Sequence, residues 1–202
     1  ERSLATNKLS YGSATDRVVD AQLAISVRLA TEHDVDALAG LVNRAYEVEE
    51  FFIEGDRTTA REIAELSRAG DFLVLECHRG LAAAVYVEHR GHAGYFGMLA
   101  VEPAFQGMGL GTRLVRLAEA MGEAMGAKAM TLRIVNLREE LGRWYRSLGY
   151  REVSTSPFDH RAVKKPCHFV EMCKRLVGEV GEVGEVDGTS DADATVDAVV
   201  AS

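Results

Sequence analysis

The sequence predicts an α/β domain, an α+β mixture built on a mixed, mostly antiparallel sheet, and three observations carry that prediction. Phe72–Cys77, Leu81–Glu88 and Tyr95–Val101 are strand-like runs separated only by short turns, which makes an antiparallel meander. Leu110–Met125 then shows helical spacing and Met130–Val135 is a further apolar run, so a strand–helix–strand unit sets Met130–Val135 parallel to Tyr95–Val101. Between them, Tyr95 to Val115 reads YFGMLAVEPAFQGMGLGTRLV: a buried strand, a proline stop, a glycine-rich turn and a helix start in succession.

Residues 1–24 are polar and lack sustained periodicity, and are expected to form an arm ahead of a domain spanning 25–176. Ile25–Leu29 alternates as ISVRL and reads as a first strand. Thr31 is placed to cap a helix, with Asp34 three positions on and Val35, Leu38, Leu41, Val42 and Tyr46 along one face. Glu47–Arg57, EVEEFFIEGDR, is a loop dense in Glu and Phe. Thr59 and Glu62 make a second capping box for a short helix carrying Ile63 and Leu66 and stopped at Gly70. Turns are expected at Arg79–Gly80 and at His89–Gly94. Apolar positions 110, 114, 117, 118, 121 and 125 give the long helix its buried stripe, and Gly126 ends it. Glu139–Leu148 is helical up to Gly149, and Tyr150–Ser154 and His168–Arg175 are the last strands, separated by a loop holding Pro157 and Pro166. Beyond Leu176 the chain repeats Gly-Glu-Val three times, so 177–202 is expected to be a disordered acidic tail.

Composition narrows the function. With 202 residues and 47% apolar content the chain suits one domain with a sizeable core. It has no apolar run long enough to cross a membrane and no basic-then-apolar leader pattern at its start. Three widely separated cysteines, Cys77, Cys167 and Cys173, argue against a disulfide framework and for a reducing compartment, the cytoplasm. The net charge of −8 is concentrated in 177–202, which holds seven acids and no base, so the body is close to neutral and has no global attraction to nucleic acid.

Gln106, Gly107, Met108, Gly109, Leu110, Gly111 and Thr112 form the turn into the long helix. Such a turn offers free backbone N–H groups and a positive dipole end, and glycine lets an anion approach without a Cβ in the way. A nucleotide P-loop would need Gly-Lys-Ser/Thr, and a dinucleotide fold G-x-G-x-x-G; the loop here is G-x-G-x-G with no lysine. The run LAVEPAFQGMGLG instead resembles the Gln/Arg-x-x-Gly-x-Gly/Ala pyrophosphate loop of the GNAT superfamily of acyl-CoA-dependent N-acyltransferases. The order of elements from Ile25 to Leu176 resembles that fold too. The resemblance implies helices on both faces of the sheet, a splayed parallel pair, and acetyl-CoA as cosubstrate with no metal. It implies that Leu99, Ala100 and Val101 of the central strand hold the pantetheine arm, while Gln106–Thr112 hold the pyrophosphate.

The family's closing motif, an aromatic-Tyr-x-x-x-Gly-Tyr/Phe run, is matched by Trp144, Tyr145, Gly149 and Tyr150. It implies Tyr145 as the acid that serves the leaving thiolate. Where the family often has a cofactor-binding asparagine, seven residues earlier, Arg138 stands; Asn136 is the nearest substitute. The base is not written in the sequence, and Glu88, His92, His168, Glu50, Glu54 and a water chain stay open. The spacing of Cys167, His168, Cys173 and His160 fits no zinc site, and alternation predicts that Cys173 is buried. The expected acceptor is a small-molecule or peptide amine, bound by Glu47–Arg57, His89–Gly94 and Ser156–Cys167. Glu47, Glu49, Glu50 and Glu54 hint that it is cationic. A homodimer is admissible; neither nucleic acid nor membrane is expected as a partner. The reading is thus an N-acetyltransferase, with an acyl-CoA-binding sensor or partner subunit of little activity as the alternative.

Overall fold

The computed structural model describes residues 24–159 and 161–176. The arm and the acidic tail expected from the sequence, and His160, lie outside these residues. Among the described residues, seven strands form one mixed sheet: β1 (Ser26–Leu29), β2 (Asp71–Cys77), β3 (Gly80–Arg90), β4 (Ala93–Val101), β5 (Ala129–Val135), β6 (Arg151–Pro157) and β7 (His168–Arg175). Their spatial order is β1-β2-β3-β4-β5-β7-β6, and only β4 and β5 run parallel. The helices are α1 (Val35–Tyr46), α2 (Ala60–Ala69), α3 (Leu110–Ala124) and α4 (Glu139–Ser147).

Each face of the sheet has its own core. α1 and α2 bring Leu38, Leu41, Val42 and Ile63 against Phe72, Val74, Ala84 and Tyr86. α3 and α4 bring Leu110, Leu114, Val115 and Tyr145 against Leu75, Val85, Phe96 and Met130 on the other side. Full burial of such aliphatic side chains stabilises by roughly 1.5–3 kcal/mol each, which fixes the helices on the sheet far more firmly than their intrinsic propensity would. Both predicted capping boxes form. The Thr31 N–H donates to Asp34 Oδ2 at 2.7 Å, and the Thr59 N–H donates to Glu62 Oε2 at 2.8 Å.

Three details differ from the sequence reading. The β3–β4 ladder continues to Arg90–Ala93, so the turn expected over His89–Gly94 shrinks to Gly91 and His92 and Arg90 stands on the sheet. β6 extends to Pro157 because β7 pairs with it all the way to His168. Cys173 is half-buried rather than buried, since its neighbour Met172 is the residue that enters the α3/α4 core.

The feature that makes a site is the separation of β4 from β5. They pair only through Ala93–Ala129, Gly94–Met130 and Tyr95–Thr131, after which they diverge. A bulge bends β4 at that point: Tyr86 pairs with Gly97 and Ala84 with Ala100, so one residue of β3 opposes two of β4. Met98, within the bulge, has φ +49°, a conformation that costs a side-chain-bearing residue about 1–2 kcal/mol. The ladder to β3 survives beyond the bulge, where the Glu102 N–H donates to Ala82 O at 2.9 Å. Strand alternation then turns the backbone N–H and C=O groups of Leu99 and Val101 away from β3, into the wedge.

Candidate active site

The wedge opens into a cleft of about 750 Å³ that passes through the sheet. One end is lined by Leu99, Val101, Gln106, Gly107, Gly109, Leu110, Gly111 and Thr112, the other by residues of β3, α2 and the two long loops, with Tyr145 between. Of the remaining residues assigned to the cofactor, Ala100 is buried in the α1/α2 core and Met108 packs against the α3/α4 core. Neither lines the cleft.

At the loop end, Gly109 is the N-cap of α3 with φ +82°, a backbone state that turns the chain abruptly from the loop into the helix. No side chain caps this helix, and its first intrahelical bond is Arg113 N–H to Gly109 O at 3.0 Å. The preceding N–H groups, on Leu110, Gly111 and Thr112, therefore have no intrahelical partner. A Cβ on Gly109 would meet nothing within 4 Å, so the backbone on this side is approachable. Gln106 reaches back to the wedge, donating from Nε2 to Val101 O at 3.3 Å. Uncapped N–H groups, a dipole end and open space fit a pyrophosphate.

Tyr145 lines the cleft between these ends, 5% exposed, packed edge-on against Tyr150 and tilted against Phe96 and Trp144. Its hydroxyl makes no hydrogen bond to any described residue, whereas that of Tyr150 donates to Glu119 Oε1 at 2.8 Å. Burial holds the Tyr145 phenol well above its ordinary pKa, with a smaller push from Tyr46 and Tyr95 and an opposing pull from Arg138. Tyr145 is therefore a neutral hydroxyl with its proton in place. Tyr46, at the other side of the wedge, is pushed up to about 12, mainly by burial.

Beyond Tyr145 the cleft is charged. Glu88 lines it, accepting from Tyr86 Oη at 3.0 Å and from Arg90 Nη2 at 3.1 Å. Of the side chains considered as bases, it is the one in the cleft; His92, His168, Glu50 and Glu54 do not line it. The hint of a cationic acceptor rested on four acids of one loop. Among Glu47, Glu49, Glu50 and Glu54 only Glu49 lines the cleft, and it accepts from Arg138 Nη1 at 2.9 Å with Arg57 Nε 3.8 Å away. Burial raises the Glu49 pKa, and the two arginines oppose that rise.

Asn136 does not line the cleft: its Oδ1 accepts from the His168 N–H at 2.9 Å, tying the end of β5 to the start of β7. Arg138 does line it, and pins the start of α4 to Glu49 in the turn that follows α1. Sequence reasoning missed Tyr46, Arg57, Arg90 and Arg161, all lining the same space. Arg57, Arg90 and Arg161 lie in the three segments expected to bind the acceptor, but nothing local says which side chains of those segments turn inward. Backbone pairing brings them together: Ile53 bridges to Val163, and the Lys164 N–H donates to Phe52 O at 2.8 Å. Among the described residues, no group of three His, Cys, Asp or Glu side chains is placed to hold a metal ion, and no helix is long and apolar enough to cross a membrane.

Comparison with known proteins agrees with this architecture. Many solved structures share the fold. The ribosomal-protein-S18-alanine N-acetyltransferase of Escherichia coli superposes with a TM-score of 0.63 at 16% identity, over 79% of this chain and 99% of that one. The yncA protein of Salmonella typhimurium, solved with its cofactor acetyl-CoA, gives 0.63 at 18% identity over 78% and 97%. Ard1 of Thermoplasma volcanium gives 0.62 at 16% identity over 77% and 100%. At such identities the likeness is one of fold. No curated protein matches the chain in sequence. Residues 68–152, which run from the end of α2 through the glycine loop to Tyr150, match the family model described as acetyltransferase (GNAT) domain. Residues 68–152 are thus similar to a GNAT acetyltransferase domain, set in a fold that the chain shares with solved N-acetyltransferases.

Proposed function

We propose that this acetyltransferase moves an acetyl group from acetyl-CoA to a primary amine by direct attack. One observation carries the reading: a single cleft joins an uncapped helix start to a buried tyrosine hydroxyl and continues through the sheet to a polar chamber. Acetyl-CoA would supply the activated acetyl thioester. The N–H groups at the start of α3 would bind its pyrophosphate, and the backbone of Leu99 and Val101 would take the pantetheine amides as an added half-strand. No residue is asked to act as a nucleophile.

Tyr145 stands where the sulfur would leave. A thiolate, with a pKa of about 8.5, is less basic than a phenolate at about 10, and burial widens the gap for Tyr145. Complete proton transfer from Tyr145 to free thiolate is thus uphill. The hydroxyl helps chiefly by donating a hydrogen bond as negative charge develops on sulfur. On the chamber side Glu88 is assigned to receive the proton of the attacking amine, directly or through water.

The alternative, a sensor that binds acyl-CoA without turning it over, is disfavoured by Tyr145, whose unengaged hydroxyl has no structural purpose in the core. Thiol release from acetyl-CoA across a panel of amines, run beside a calorimetric titration with CoA, separates the two. Turnover with at least one amine class supports transfer. Tight CoA binding without turnover across the panel would establish the sensor instead.

A further inference from the structure

The chamber beyond Tyr145 contains a mismatch between its acids and its arginines. Each carboxylate lining the cleft already accepts from an arginine: Glu49 from Arg138 at 2.9 Å, Glu62 from Arg161 at 3.0 and 3.2 Å, Glu65 from Arg61 at 2.9 Å, and Glu88 from Arg90 at 3.1 Å. Arg57 is left over. Its side chain is only 19% exposed, it lines the cleft, and its guanidinium makes no hydrogen bond to any described residue. Its Nε is buried without a hydrogen-bond partner, as are those of Arg90 and Arg161 in the same chamber.

Arg57 is nevertheless held in place. Its guanidinium lies over the Tyr46 ring at 5.2 Å from the centroid, and the Glu49 carboxylate stands 3.8 Å from its Nε, an ion pair without a hydrogen bond. A planar cation fixed on one face by an aromatic ring, with its N–H groups unspent, is preorganised for an oxyanion. A buried donor without a partner has lost its hydration uncompensated, the more so when charged, so a ligand oxygen that satisfied it would recover that cost on binding.

Resting on the acetyl-transfer reading above, we propose that the acceptor is a compact amine that also carries an oxyanion, a carboxylate or a phosphate-type group, and that Arg57 binds that oxyanion. Glu88, on the same chamber wall, then faces the amine while Arg57 takes the opposite charge. A purely cationic amine would offer the Arg57 N–H groups no acceptor and would leave them unsatisfied. An amine without an oxyanion is therefore selected against by the same side chain that holds the right one.

The test uses matched acceptors with the intact chain. The α-amino acids are compared with their α-amides and decarboxylated amines, and phosphoethanolamine and aminoethylphosphonate with ethanolamine and ethylamine. The expected result is a preference in kcat/KM of about 10–100-fold for the oxyanion-bearing member of a pair, the range that one charge-assisted hydrogen bond supplies. The two arms show whether carboxylate or phosphate is preferred. Arg57→Gln should remove that preference by raising the acceptor KM, with acetyl-CoA affinity and thermal midpoint kept, and Arg57→Lys should restore part of it. A binding arm does not require turnover: N-acetylalanine and N-acetylalanine amide are titrated into the CoA-loaded protein. Tighter binding of the acid, lost in Arg57→Gln, supports the oxyanion site even where no amine is acetylated, in which case only the transfer reading has failed. Turnover of amines and amides at equal rates, or equal binding of acid and amide, overturns the oxyanion site and leaves the transfer reading untouched.

Discussion

The ring of Tyr95 lies across Gly97, two residues on along the same strand, so closely that a Cβ on Gly97 would stand 2.7 Å from the Tyr95 hydroxyl oxygen. Arg90 covers the ring from the other side at 3.7 Å from its centroid. Tyr95 is thus held flat in the cleft by the absence of one methyl group. Gly97→Ala should push the ring out while leaving the core intact, and misplacement of this order lowers kcat/KM for the acceptor by up to about 10²-fold. Unchanged acceptor kinetics in a folded Gly97→Ala protein would show that the position of Tyr95 does not matter to the site.

Gly109→Glu should abolish CoA binding. The substitution sets a carboxylate at the helix start and forces a side chain into φ +82°, the second effect costing about 1–2 kcal/mol of stability. Gly109→Asn separates the two, because asparagine tolerates this conformation and carries no charge. Calorimetry should find CoA affinity lost in the first variant and largely kept in the second; equal affinities would move the pyrophosphate elsewhere.

Tyr145→Phe and Tyr150→Phe should fail in opposite ways. The Tyr145 hydroxyl has no described partner, so its loss should leave the thermal midpoint unchanged and lower turnover by about 10²–10⁴-fold, with CoA affinity kept. Tyr150 donates to Glu119, which also accepts from Lys174 Nζ at 2.9 Å, so its loss should cost about 1.5–3 kcal/mol of stability with turnover of the folded protein kept. Equal turnover in the Tyr145 variant would make that residue a packing group.

Asp34 should confer acid sensitivity. Arg28 donates to both its oxygens at 2.7 and 2.8 Å, and this pairing, with the Thr31 N–H, holds its pKa well below the usual carboxylate range. A lowered folded-state pKa means stability that is fully present above the unfolded pKa of about 4 and is lost as pH falls through that value and below it. Asp34→Asn should therefore be destabilised by about 1–3 kcal/mol at pH 7 and by clearly less at pH 3. Urea melts of both proteins at the two pH values measure it, and a pH-independent difference would contradict the linkage.

The elements themselves were legible because their causes are local. Alternation marks Ile25–Leu29 as a strand and a short aromatic and apolar run marks Tyr95–Val101 as another, the pairs Thr31/Asp34 and Thr59/Glu62 mark helix starts, and the glycine loop with its helix is one contiguous run. Tyr145 was legible through the short motif around it. Which charged side chains of the loops face the cleft was not legible. Glu47, Glu49, Glu50 and Glu54 lie together in the sequence, yet only Glu49 turns inward, and there two arginines already hold it.

The sequence by itself determined the order of strands and helices and the glycine-rich turn into the long helix, since both follow from backbone conformation over a few residues. Only the tertiary structure decided what stands opposite that turn. The divergence of β4 from β5 depends on a bulge set by pairing with β3, and the chamber beyond Tyr145 depends on Glu49, Arg57, Arg90 and Arg161 arriving from separate segments. Whether an arginine is spent or free is a matter of which carboxylates reach it in space. Arg57 keeps its hydrogen bonds because every acid within the cleft found another partner first.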